Sequence, residues 1–212
     1  MRLFLQAFVL AALVSVQVPS AGQSFDELLK AVVQGDTKVV ASFLDRGLDP
    51  NTTDPAGNTL LMNAARHGHL DLVAQLIERK ASVTRRSPHG DTALMHASLG
   101  GHLAIVKLLV DKGAQVHHAG WAPLHYAAFE GRGDVLRFLM ETGADKNALA
   151  PNGYSPLMLA ARGGHLEAVR ALLYEDAEVT VKGPNGETAL GIAKGRKSVE
   201  VVNLLTRAGA VE

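Results

Sequence analysis

The sequence contains no cysteine, only one tryptophan, and no excess of charge of either sign. The absence of cysteine excludes disulfide bonds, thiolate nucleophiles and cysteine-based metal sites. Because 21 Lys and Arg residues balance 21 Asp and Glu residues, no overall electric field attracts nucleic acid or an acidic membrane. We therefore expect no nucleic-acid partner, and the nine histidines are left as the candidate metal ligands.

Motifs of catalysis are also missing from the sequence. It has no H-E-x-x-H, no G-x-S-x-G and no glycine-rich dinucleotide fingerprint. The segment GIAKGRKS at 191–198 lacks the glycine–lysine spacing of a phosphate-binding loop. We expect no enzymatic activity, no catalytic residues and no cofactor. With 47% hydrophobic residues in 212, the chain is nevertheless able to bury a sizeable core as one domain or a small array.

The first residues have the composition of an export signal. Met1 and Arg2 supply positive charge, an apolar run covers 3–16, and small residues follow in QVPSAGQ at 17–23. We expect residues 1–22 to be a signal peptide, cleaved near Ser20 to Gly22. The alternative is an uncleaved membrane anchor, although this run is shorter than the about 18 to 20 apolar residues that a span requires.

The rest of the chain repeats. Similar turns, PAG at 55–57, PHG at 88–90 and PNG at 151–153 and 184–186, are spaced by 33, 63 and 33 residues. The long interval hides one more copy, WAPLHYAAFEGRGDVLRFLM after Gly120, whose loop is three residues shorter. A weaker copy covers 24–51, which gives about six units. The end units carry extra polar residues, as end caps do.

Each unit is predicted to be a turn followed by two short helices. Hydroxyl residues stand where the first helix begins, Pro123 and Pro156 occupy the first helical position, and a glycine ends the first helix. The hydroxyl residues are Thr59, Thr92, Ser155 and Thr188, and the glycines are Gly68, Gly101, Gly131 and Gly164. Neither apolar stripe can be buried within one unit, so the units are expected to stack into an all-α solenoid.

These motifs resemble the ankyrin repeat. The pattern G-x-T-P-L-H-x-A-A-x-x-G-H is matched over 57–69, 90–102 and 153–165, with GA at 113, 143 and 209. The resemblance implies an ankyrin domain over 23–212, with repeats near 24–53, 54–86, 87–116, 117–149, 150–182 and 183–212. Methionine replaces the histidine of this pattern at 62, 95 and 158, while His125 keeps it beside Ala122. We therefore expect weaker ties between turns and helices than the family has.

Histidine leaves a metal site as an open alternative. His117 and His118 are adjacent in the shortened loop, and His89 lies on the previous loop. The histidines of the G-H pairs are explained by the repeat itself and should be too far apart to share an ion. Our expectation is no metal; a metal-binding or hydrolytic accessory protein remains the less favoured reading.

The resemblance also implies a concave surface made by loop tips and the exposed side of each first helix, with residues that vary with the partner. We expect a protein-binding surface there, in which aromatic residues act as anchors. Its predicted residues are Trp121, Tyr126, Phe129 and Tyr154, surrounded by His96, Leu99 and Leu159, with Arg66 and Arg162 at the rim. In the last unit the same positions hold Glu187, Ile192 and Arg196. The competing interpretation is that Trp121 folds down into the space left by the shortened loop.

The resemblance to exported bacterial ankyrin proteins implies a function. It suggests a monomeric, non-catalytic interaction module in the periplasm that acts as an adaptor, a chaperone-like protein or an inhibitor for a protein partner. A scaffold that keeps residues 1–22 as an inner-membrane anchor facing the periplasm is the alternative.

Overall fold

A computed structural model describes residues 21–118 and 120–211, with side chains from Ser24 onward. The predicted signal peptide lies outside the described residues over positions 1–20. The described residues form twelve helices: α1 (Ala21–Gln34), α2 (Thr37–Asp45), α3 (Leu60–His67), α4 (Leu70–Glu78), α5 (Ala93–Gly100), α6 (Leu103–Asp111), α7 (Pro123–Phe129), α8 (Gly133–Glu141), α9 (Pro156–Gly163), α10 (Leu166–Tyr174), α11 (Ala189–Gly195) and α12 (Val199–Arg207).

The helices form six pairs stacked in one direction, which confirms the predicted all-α solenoid of about six units. The odd-numbered helices form an inner layer in which each packs closely on the next, and the even-numbered helices form a more loosely packed outer layer. Buried alanines allow this closeness, as at Ala64, Ala97, Ala127 and Ala160.

The predicted helix starts are confirmed. The hydroxyl of Thr59 accepts from the backbone N–H of Met62 at 3.1 Å, and Thr92, Ser155 and Thr188 make the same cap at 3.2–3.3 Å. The expected glycines follow the first helices with positive φ, from 69° at Gly164 to 81° at Gly68. These angles favour glycine because a Cβ would crowd the backbone there.

Ties between units come from the histidines of the G-H pairs. Nε2 of His69, His102 and His165 lies 2.7–3.0 Å from the carbonyl oxygen of Val33, Arg66 and Phe129 respectively, each in the preceding unit. In the unit with the short loop, Arg132 takes over this role and donates from Nε to the Leu99 carbonyl at 3.1 Å. These side chains therefore join successive inner helices, a role that the sequence pattern alone did not indicate.

The turns are held by a repeated pair of backbone hydrogen bonds. In the second unit Asp54 N–H donates to the Asn58 carbonyl at 2.8 Å and Gly57 N–H to the Asp54 carbonyl at 2.9 Å. The same pair recurs in the turns at 87–91, 150–154 and 183–187. Among the described residues around Gly120 it has no counterpart, so the shortened loop lacks the projecting turn of its neighbours.

His125 compensates for the short loop. It is fully buried, its Nδ1 accepts from the Ala122 N–H at 3.0 Å, and its Nε2 lies 2.8 Å from the Ala148 carbonyl oxygen in the next loop. In the units with methionine, the Thr or Ser cap is still made, and Met62 Sδ also accepts from the Thr59 N–H at 3.4 Å. The hydroxyl caps therefore tie the starts of the first helices in the methionine units, and these units lack the bond that His125 makes to the next loop.

No helix in the described part of the chain is long and apolar enough to cross a membrane.

Candidate functional site

Equivalent positions of successive units form rows along the inner layer. The row after each turn glycine, here called the turn row, consists of Asn58, Asp91, Trp121, Tyr154 and Glu187. The helix row lies one turn into each inner helix and consists of Asn63, His96, Tyr126, Leu159 and Ile192. The rim row, near the end of each inner helix, consists of Arg66, Leu99, Phe129, Arg162 and Gly195. All nine predicted site residues belong to these three rows.

The indole of Trp121 packs down rather than projecting. It is partly buried against the core, with ring centroids 5.9 Å from His125 and 5.8 Å from Tyr126. The Tyr126 hydroxyl donates to Asp91 Oδ1 of the preceding unit at 2.5 Å. Burial, reinforced by this bond, holds the pKa of Tyr126 above its ordinary value. Trp121 thus packs against the core as the competing interpretation expected, and Tyr126, which that interpretation did not include, is held by its bond to Asp91.

The other predicted aromatic residues lie closer to solvent. Phe129 is 50% exposed at the end of α7. Tyr154 is half-buried, and its hydroxyl donates to Glu187 Oε1 in the next unit at 2.8 Å. That bond raises the pKa of Tyr154, and the bond together with backbone donors lowers the pKa of Glu187. The four aromatic residues therefore divide into a packed pair and an accessible pair.

The expectation that Leu159 surrounds an open surface needs correction. Its side chain is only 2% exposed and belongs to the core cluster. An aliphatic side chain has no polar atom to keep in water, so Leu159 packs inward. Leu159 forms the floor of a hollow beneath Phe129 and Arg162.

The N-terminal members of the predicted surface are spread out. Arg66 is exposed, while Leu99 and His96 are half-buried. His96 Nε2 is shielded from solvent and has no hydrogen-bond partner among the described residues. Burial lowers the pKa of His96, and the negative charge of Asp91 opposes part of that effect.

Two adjoining hollows in the inner layer, of about 470 and 340 Å³, share Arg162 and Arg196. Together we call them the C-terminal depression; it lies between α7, α9 and α11, and its other main residues are Phe129, Leu159, Tyr154 and Ile192. Gly195 contributes no side chain and has open space beside it, whereas the ring of His165 packs against Gly163 and lines the hollow there. The Arg162 guanidinium lies 5.8 Å from the centroid of the Tyr154 ring. The depression therefore has apolar residues at its base and the cationic side chains of Arg162 and Arg196 at its sides.

The histidines of the short loop line a separate hollow of about 310 Å³ with Asp145 and Leu124. His118 Nδ1 is shielded there without a hydrogen-bond partner. Within 21–118 and 120–211, no three His, Asp or Glu side chains are grouped so as to hold a metal ion. The geometry therefore gives no support to the alternative built on His89, His117 and His118.

A hollow of about 600 Å³ lies in the outer layer and was not predicted. Leu173, Leu204 and the 83% exposed Tyr174 contribute to it. Of its three arginines, Arg137 and Arg170 pair with Asp134 and Glu167 of their own helices, and Arg207 makes no ion pair with another described residue. The outer hollow therefore has one arginine without an acceptor among the described residues, and the C-terminal depression has two, Arg162 and Arg196.

The helix pairs stack into a solenoid, and the side chains on its inner layer vary from unit to unit. Repeat solenoids of this kind present an extended surface for binding other molecules. The family model "Ankyrin repeats (3 copies)" matches residues 28–119, 83–150 and 124–211. The chain therefore belongs to the ankyrin repeat family. Members of this family generally mediate protein–protein interactions, and their fold is typically a non-enzymatic module.

Two known proteins are similar to parts or most of the chain. The crystal structure of the human ASB11 ankyrin repeat domain superposes with a TM-score of 0.81 at 27% identity, over 87% of this chain and 84% of that domain. Human protein phosphatase 1 regulatory subunit 27 is 43% identical over 44 residues, which is 19% of this chain. The chain matches only 29% of the length of that relative.

Proposed function

We propose that this protein captures a protein partner on the inner layer of its helix array, without catalysing a reaction. The observation that carries this proposal is the C-terminal depression, where the half-exposed ring of Phe129 stands beside Arg162 and Arg196. Aromatic residues and arginines are the residue types that contribute most of the binding energy in protein–protein interfaces, and both are present here. Tyr154 and Leu159 supply further apolar contact, and Arg66, His96 and Leu99 extend the face toward the N-terminus.

Trp121 and Tyr126 have a supporting role in this proposal. Their packing and the bond to Asp91 fix the inner helix α7, which carries Phe129. A rigid scaffold lowers the entropy that is lost on binding. Truncating Trp121 is therefore expected to act through stability as well as through contact, which makes it a poor test of binding.

We further propose that the protein works in the periplasm after removal of residues 1–22. The support is the charge, length and small-residue ending of that segment. The alternative is an inner-membrane scaffold that retains it. N-terminal sequencing of the protein purified from cells distinguishes them, since cleavage gives a start near Ser20 to Gly22 and an anchor leaves Met1 in place. A cytoplasmic protein with an intact Met1 would contradict both.

The role in the complex is that of an adaptor, a chaperone-like protein or an inhibitor. The human relative bears the name of a regulatory subunit, which favours action on another protein rather than on a small molecule.

The test is capture of partners by the purified protein and by two alanine variants. Phe129→Ala removes the exposed ring of the depression, and Tyr174→Ala removes an even more exposed ring from the outer layer. We expect Phe129→Ala to weaken binding of the captured partner by about 2 kcal/mol, or about thirtyfold, and Tyr174→Ala to leave it unchanged. The opposite result would place the partner on the outer layer and contradict the proposal.

A further inference from the structure

We infer that the partner presents an acidic segment to the C-terminal depression, with an Asp or Glu carboxylate next to an apolar side chain. This inference rests on the proposed function, because it names the chemistry of the partner at the same face. It depends on three features of the depression: unsatisfied guanidinium groups, an apolar floor and acidic edges.

The guanidinium groups of Arg162 and Arg196 lack acceptors of their own. In the described part of the chain, Arg162 contacts only the ring of Tyr154, and Arg196 makes no side-chain hydrogen bond or ion pair. By contrast, Arg79, Arg137 and Arg170 have carboxylate partners in Asp45, Asp134 and Glu167. A planar guanidinium group presents several N–H donors in the arrangement that a carboxylate accepts. Two such groups around one hollow are therefore complementary to an anionic side chain.

The floor between these arginines is apolar. Leu159 lies at its base, and Phe129 and Ile192 lie on either side. Gly195 leaves room for a side chain to enter, because no other group lies within 4 Å of the position that its Cβ would take. Burying an apolar group here removes its surface from water, which favours association. A small inorganic anion would not contact this apolar floor. A carboxylate side chain next to Leu, Ile or Phe would contact both the floor and the guanidinium groups.

Acidic residues limit the charge that the depression accepts. Glu130 lines its α7 side, where its ion pair with Arg132 is long at 3.9 Å. Glu187 accepts from the hydroxyl of Tyr154, whose side chain lines the depression. A nucleic acid strand or other polyanion running along the rows would bring further negative charges against these carboxylates. A peptide with one or two acidic residues meets the arginines without that repulsion.

The test uses the purified protein and a library of short random peptides displayed on phage. The variant Arg162→Gln with Arg196→Gln removes the two unpaired charges. The matched control, Arg137→Gln with Arg170→Gln, removes two charges from the outer layer. We expect the unmodified protein and the control to enrich peptides that carry Asp or Glu next to an apolar residue. The inner variant should bind the same synthetic peptides at least about tenfold more weakly.

Replacing the selected Asp or Glu by Asn or Gln in the synthetic peptide should cause a similar loss with the unmodified protein and little further loss with the inner variant. Binding should also weaken as salt is raised above about 0.1 M, because screening acts on exposed charges. Equal melting temperatures of the variants by circular dichroism establish that folding is intact.

Contrary outcomes separate this inference from the proposed function. Peptides that require Phe129 but carry no acidic residue, or a failure to enrich any peptide above the inner variant, would overturn the inference while leaving protein capture testable with whole partners. Peptides that bind regardless of Phe129→Ala and of both arginine pairs would contradict the proposed function itself. Tighter binding of a single-stranded oligonucleotide or of phosphatidylglycerol vesicles, lost in the inner variant, would assign the arginines to a phosphate ligand and overturn the inference.

Discussion

The ring of His165 packs directly on Gly131 of the preceding unit, and its Nε2 lies 2.9 Å from the carbonyl oxygen of Phe129. The histidine that joins two units therefore also holds the end of α7, where the exposed ring of the candidate binding face begins. The stability of the fold and the position of the exposed Phe129 ring therefore depend on the same contact.

Gly131→Ala should be markedly destabilising. An added Cβ would lie 2.6 Å from His165 Cγ, and φ at Gly131 is +71°, which disfavours alanine. We expect a loss of about 2–4 kcal/mol in the free energy of unfolding, measured by urea denaturation. Gly90→Ala is the control, because its φ is +87° and nothing lies within 4 Å of the added Cβ. That variant should lose only about 1–2 kcal/mol; equal losses would refute the role of the His165 contact.

Replacing His125 should show how much stability is contributed by the pattern histidine that three other units replace by methionine. His125→Ala leaves the Ala122 N–H and the Ala148 carbonyl without partners in a fully buried site. We expect a loss of about 3–4 kcal/mol in unfolding free energy. His125→Met copies the residue of three other units and refills the volume, so about half of that loss should be recovered. A methionine variant no better than alanine would show that packing is unimportant there.

The stability of the fold should fall in mildly acidic solution. Burial lowers the pKa of His96 and of His125 from 6.5, so the unfolded chain binds more protons than the folded one below that pH. Their contribution is complete above about pH 7 and is lost progressively as the pH falls through about 6 toward the folded pKa. Urea denaturation at about pH 7.5 and 5.5 measures this loss.

Within that pH range, His96→Asn should make the dependence shallower. Asparagine is the residue at the equivalent position of the second unit, Asn63, so it suits the local structure. The carboxylates with lowered pKa, Asp54 and Glu187, lose their contribution at lower pH and do not obscure the comparison. An unchanged pH dependence in the variant would exclude His96 as a contributor.

Tyr126→Phe should weaken the connection between the third and fourth units. It removes the hydroxyl that donates to Asp91 at 2.5 Å and leaves the ring contact with Trp121 in place. We expect a loss of about 1–2 kcal/mol by urea denaturation. The comparison is Tyr154→Phe, whose bond to Glu187 lies nearer to solvent and should contribute less than about 1 kcal/mol. Equal losses would mean that the bond to Asp91 contributes no more to the free energy of unfolding than the bond to Glu187.

Local features of the fold were predictable from sequence because they depend on residues close together in the chain. Thr59 and its equivalents cap their helices within three residues, and Gly68 takes its left-handed angle from the turn it occupies. The repeating pattern then predicted the stacking. By contrast, the bond from His165 to the Phe129 carbonyl joins residues 36 apart, and no periodicity indicates that side chain's partner.

The candidate site was predicted only as a set of positions. The rows followed from aligning the units, but the depth of each side chain depends on its neighbours across two helices. Leu159 was expected near the surface and is buried, while Phe129 in the next row is exposed. The depression itself depends in part on Gly195, whose missing side chain does not stand out in a sequence already rich in glycine.

The most direct measurement is hydroxyl-radical footprinting of the protein alone and in complex with a captured partner. It reports on Phe129 and Tyr174 together, since both rings are exposed in the free protein. We predict that the partner protects Phe129 from oxidation and leaves Tyr174 fully reactive. Protection of Tyr174 with Phe129 unchanged would place the interface on the outer layer and contradict the account.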